Sequence, residues 1–65
     1  MWAERVKQAI GYAETVDELQ YIEEKIYHSP KRPDYRSAQG RQIRDTLLSL
    51  KDEKHRELAN NNPPF

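Results

Sequence analysis

Apolar residues recur along this chain at the three- and four-residue steps of an α-helix, and nowhere alternate as in a strand. Trp2, Val6, Ala9, Ile10 and Ala13 share one helical face and predict a first helix. Gly11 weakens its end, by roughly 1 kcal/mol relative to alanine. Thr15-Val16-Asp17-Glu18 then reads as a capping box: the threonine hydroxyl and the Glu18 carboxylate each satisfy a free backbone N–H. Asp17 and Glu18 also suit the positive end of a helix dipole. A second helix is therefore expected from Val16 to Tyr27, turning Leu19, Ile22 and Ile26 inward. Ser29-Pro30-Lys31-Arg32-Pro33 stops it, because each proline disfavours helical geometry in the residue before it.

A third helix is predicted to start near Asp34 or Ser37, both good caps, and to reach Leu58. Ile43, Leu47 and Leu50 form its stripe, with Gly40 one turn earlier on the same side. Glycine there either admits another helix closely or frays the first turn. Asp52 and Arg56 are spaced to pair along the helix. Asn60-Asn61-Asn62-Pro63-Pro64-Phe65 is too polar and proline-rich to continue it. The expected fold is all-α: a small three-helix domain over residues 1–59, with a short first helix packed on a longer antiparallel helical hairpin. Residues 60–65 are expected to form a disordered tail.

Composition narrows this further. At 65 residues the chain has room for one core, and such a chain buries only about 60 % of its unfolded surface. Apolar residues are 35 %, charged residues 34 %, and cysteine is absent, so neither disulfide nor thiolate metal site supports the fold. Self-association into a homodimer is one way to gain the missing burial, and a net charge of zero does not oppose it. Charges interrupt the N-terminal Met1-Trp2-Ala3-Glu4-Arg5, which rules out a signal-peptide pattern. No apolar run approaches the roughly 18 residues of a membrane helix. The expected location is cytoplasmic.

Charge is polarised along the chain. Glu14, Asp17, Glu18, Glu23 and Glu24 stand against the single Lys25 in the second helix region. Lys31, Arg32, Arg36, Arg41 and Arg44 stand against the single Asp34 in the next. With Leu19, Ile22 and Ile26 inward, Asp17, Tyr21, Glu24 and His28 align on the opposite side of the helix. They read either as an acidic–aromatic stripe for a basic partner surface or as a solvated face with one tyrosine. On the third helix Arg41, Arg44, Leu48, Lys51 and His55 flank the Ile43 stripe. Leu48 there either packs on the first helix or serves as an apolar anchor ringed by charge.

The alternative use of the basic segment is nucleic-acid binding, with Lys31, Arg32, Arg36, Arg41 and Arg44 on phosphates. Against it, the sequence pI is 6.7, well below the value of about 9 that marks such domains. The connection between the second and third helices also exceeds the turn of a helix-turn-helix. Catalysis has little support. Glu24 and His28 sit one turn apart without a third ligand, and no phosphate loop or nucleophile motif is present. No cofactor or metal is implied.

Pro64-Phe65 resembles the C-terminal Pro-Phe tip with which bacterial single-stranded-DNA-binding proteins dock on replication and repair partners. Asn60, Asn61 and Asn62 replace the acidic run of that family. The helical-hairpin layout resembles small sporulation phosphatases acting on aspartyl-phosphate response regulators, but Ser37–Asp45 lacks their Ser-Gln-Glu-Leu-Asp motif. No family is assigned. The expected function is a small non-enzymatic adaptor or regulator, of bacterial or phage accessory size, binding another protein through Asp17, Tyr21, Glu24, His28, Arg41, Arg44, Leu48 and Lys51.

Overall fold

Thr15 divides the first half of the chain into two helices. A computed structural model describes residues 1–61, in which α1 spans Trp2–Tyr12, α2 Val16–His28 and α3 Ala38–Asn61. The Thr15 hydroxyl accepts the Glu18 N–H at 3.1 Å, as a capping box requires. The Glu18 carboxylate reaches one residue further back than expected and accepts the Glu14 N–H at 3.1 Å. Ala13, in extended conformation, is the turning point and is itself buried.

The start of α1 lies beside the end of α2, where the Trp2 indole N–H donates to the Ser29 hydroxyl at 3.2 Å. These two helices are thus antiparallel. α3 returns antiparallel to α2 and runs parallel to α1, so that Lys54 near its far end donates to the Gly11 carbonyl at 3.2 Å. That carbonyl belongs to the last turn of α1, which lacks helical partners and carries the negative end of the dipole.

The core is one cluster fed by all three helices. Val6, Ile10 and Ala13 come from the α1 segment, Leu19, Ile22 and Ile26 from α2, and Leu47 from α3. Trp2, Ile43, Leu48, Leu50 and Leu58 pack around it half-buried. Ile43 and Leu50, expected as full core members, are therefore its margin. On a helix that spans both others, only the central Leu47 is enclosed from all sides. Ala9, expected on the inner face of α1, is exposed.

Residues 29–37 join α2 to α3 in a run of tight turns. Ser37 is the cap of α3: its hydroxyl accepts the Gly40 N–H at 2.9 Å and donates to the Asp34 carbonyl at 2.8 Å. Asp34 starts the preceding turn, accepting the Arg36 N–H at 2.9 Å. Gly40 is buried under this turn. A Cβ on it would lie 2.0 Å from the Asp34 carbonyl oxygen and 3.0 Å from the Ser37 hydroxyl. The close neighbour is thus the chain's own connection rather than another helix.

α3 is longer than expected at its C-terminus. Asn60 and Asn61 remain helical, at a propensity cost below about 0.7 kcal/mol each. The remainder of the expected tail, 62–65, lies outside the described residues.

The two glycines should respond oppositely to alanine. At Gly11 a Cβ meets nothing within 4 Å, and the backbone is ordinary helix. Gly11→Ala is expected to raise stability by about 0.5–1 kcal/mol. Gly40→Ala must displace the Asp34–Ser37 turn and is expected to lower stability by about 1–3 kcal/mol. Urea unfolding of both variants checks the pair.

Candidate interaction surfaces

The four residues of the expected α2 stripe are all exposed. Asp17, Tyr21, Glu24 and His28 lie on the solvent side of the helix, opposite the Leu19–Ile22–Ile26 ridge. His28 Nε2 stands 3.8 Å from the Glu24 carboxylate. Asp17 and Tyr21 instead border a groove between α1 and α2. Its floor is Val6, Ala9 and Ile22, and Trp2, Tyr12 and Tyr21 line its rim. Tyr12 is 81 % exposed and Tyr21 64 % exposed, and the Lys25 ammonium sits 5.1 Å above the Tyr21 ring. The aromatic component of this surface thus comes from two helices. Tyr12 and Trp2 were missed by reading α2 alone; the available signal was Tyr12, one turn beyond Ala9.

The α3 candidates separate by environment. Arg41 is exposed, and Leu48 is half-buried and packed against the core. Lys51, with its side chain 15 % exposed, bonds Asp52 at 2.8 Å and the Glu23 carboxylate of α2 at 3.5 Å. The hydrogen bond with Asp52 holds the Lys51 ammonium above its ordinary range and Asp52 below the usual carboxylate range. Asp52, expected to face Arg56, takes the nearer ammonium. Among the described residues, Lys51–Glu23 is the ion pair that joins two helices.

Most of the basic connection is occupied by its own geometry. The Arg32 guanidinium donates to the Ser29 carbonyl at 2.9 Å, and Arg36 bonds Asp34 at 3.1 Å. Arg36 donates to that carboxylate through both backbone and side chain, holding Asp34 below its usual range. Arg44 lies 5.6 Å above the Tyr35 ring and 3.3 Å from Asp45. Lys31 and Arg41 make no ion pair among the described residues.

Tyr35 organises this corner. Its hydroxyl donates to the Ile26 carbonyl, one of the terminal α2 carbonyls without a helical partner. Ser29 is the second anchor, accepting the Lys31 N–H at 3.1 Å as well as the Trp2 indole. Neither role was visible in the sequence, because each spans a distance along the chain that no local pattern records.

The best-formed depressions among the described residues are open grooves rather than enclosed cavities. No three His, Asp or Glu side chains there converge as a metal site would need. No described helix is long and apolar enough to cross a membrane. No family model, curated protein or solved structure matches the chain.

Burial raises the Tyr35 phenol above the ordinary tyrosine range. Folding therefore favours its protonated, donating form. The stability it contributes should be complete below about pH 10 and decline as pH rises through the raised value. Tyr35→Phe is expected to cost about 1 kcal/mol at neutral pH. The wild-type advantage over this variant should shrink when urea unfolding is repeated near pH 11.

Proposed function

We propose that this chain is a small, non-enzymatic cytoplasmic adaptor or regulator that binds another protein through charged helix faces. The observation that carries this reading is the state of the two charge blocks. They are comparable in size, yet no ion pair joins them among the described residues; Lys51, which reaches Glu23, lies outside the basic block. The acidic stripe of α2 is left facing solvent. Exposed carboxylates beside a partly exposed tyrosine offer a basic protein surface both steering charge and an amphipathic contact. Open grooves suit a protein face better than a small substrate, which needs most of its surface enclosed. The mechanism would be occlusion or tethering.

Nucleic-acid binding by Lys31, Arg32, Arg36, Arg41 and Arg44 is the alternative. The engagement of Arg32, Arg36 and Arg44 within the chain argues against it, since each would have to leave a local partner to reach phosphate.

Glu24→Lys and Arg41→Glu both alter exposed side chains away from the core and test the reading without unfolding the domain. Affinity capture from host extract, with and without nuclease, is expected to recover one defined protein in both conditions. At least one of the variants should weaken that complex, mainly through slower association and a changed salt dependence. Recovery abolished by nuclease, with binding to purified nucleic acid lost on neutralising Lys31 and Arg36, would establish the alternative instead.

A further inference from the structure

The α1/α2 groove faces away from α3 and carries charges of opposite sign at its two ends. Arg5 and Lys25 flank the Trp2 end; Asp17 and Glu18 flank the Tyr12 end. Between them lie Ala9, Tyr21 and Ile22, which border both halves of the groove. Val6 and Ile22, at 8 % and 9 % exposed, are the least covered members of the core, and both line this groove. α1 and α2 also meet along a shorter seam than either makes with α3.

We infer that a second copy of this chain docks on this face, through a two-fold interface made by α1 and α2 of each protomer. The charge layout selects the occupant. A two-fold axis near Ala9 lays the basic end of one protomer on the acidic end of the other, at both ends at once. Arg5 and Asp17 make no ion pair within the chain among the described residues, so their charges are available for this; Lys25 makes none either and rests over the Tyr21 ring of the same groove. Zero net charge leaves no global repulsion between copies. Ala9, exposed and small, permits close approach at the axis, where Tyr12 and Tyr21 supply the apolar area. The two hairpins together form a four-helix layer with one α3 on each outer side.

Size sets the strength. The 11 residues of α1 measure about 16 Å, and two helices side by side about 20 Å. This face falls short of the roughly 800 Å² that each partner gives a standard interface. A face this small suits a weak, reversible dimer. It encloses Asp17 and Tyr21 but leaves Glu24, His28 and Arg41 of both protomers outside. A partner that uses Asp17 and Tyr21 would compete with this dimer, whereas the adaptor test at Glu24 and Arg41 lies outside it.

Sedimentation equilibrium of the full chain up to about 500 μM should show a reversible monomer–dimer equilibrium. The Arg5→Glu, Lys25→Glu double variant should weaken it at least about tenfold by placing like charges together, as should Asp17→Arg. Mixing these two variants should restore association as a heterodimer. In this cysteine-free chain, Ala9→Cys should give an interchain disulfide under mild oxidation, because a residue beside a two-fold axis meets its own copy. Ser49→Cys, on the outer side of α3, should not. A monomer at every concentration overturns the inference. So does a dimer indifferent to Arg5, Lys25 and Asp17 but weakened by Arg36→Glu and Arg41→Glu, which would place α2 of one copy on the basic connection of the other.

Discussion

Leu47 is the one buried apolar side chain that α3 gives to the core, and the position of the longest helix depends on it. It meets a cluster prepared by α1 and α2, whose buried residues the Thr15 turn brings to a common side. A single enclosed leucine contributes about 1.5–3 kcal/mol of transfer free energy, a small hold for a helix of 24 residues. The polar ties at the two ends of α3 therefore matter more here than in a larger domain. At its start, the Ser37 cap and the turn over Gly40 fix where the helix begins. Further along, Lys51 reaches Glu23 on α2 and Lys54 reaches the end of α1. The half-buried ring of Ile43, Leu48, Leu50 and Leu58 closes the margin between these points.

The same economy governs the charges. A chain in which charged residues nearly match apolar ones in number cannot neutralise every block by internal pairing without burying ions that cost several kcal/mol each to desolvate. The fold spends one lysine on the α2–α3 junction, engages Arg32 and Arg36 within the connection and sets Arg44 of α3 over Tyr35. The acidic side of α2 remains solvated. Its carboxylates repel one another weakly in water and would gain from an external cation.

How much of the candidate surface was legible follows from range along the chain. Asp17, Tyr21, Glu24 and His28 repeat at helical spacing, so one periodicity placed all four on an exposed face. The apolar strip beside Asp17 and Tyr21 was not legible, because half of it belongs to α1. Reading it requires knowing that Tyr12 of one helix lines the same groove as Tyr21 of the next. Leu48 shows the converse. Its charged neighbours invite an anchor reading, yet its place against the core depends on where α3 lies, which no helical wheel contains.

By itself the sequence determined the local elements: the helical periods, the capping box at Thr15, the proline-bounded connection and the inward residues of α2. Each of these is set by interactions within a few residues, where backbone geometry leaves little choice. Tertiary structure decided the rest. Tyr35 closes α2 through the Ile26 carbonyl, Ser29 holds the Trp2 indole, and Gly40 is required by a carbonyl six residues upstream. α3 runs on through Asn61, beyond its last apolar residue. These outcomes depend on segments meeting in space, and hydrophobic spacing along one helix carries no record of which backbone group from elsewhere will lie against it.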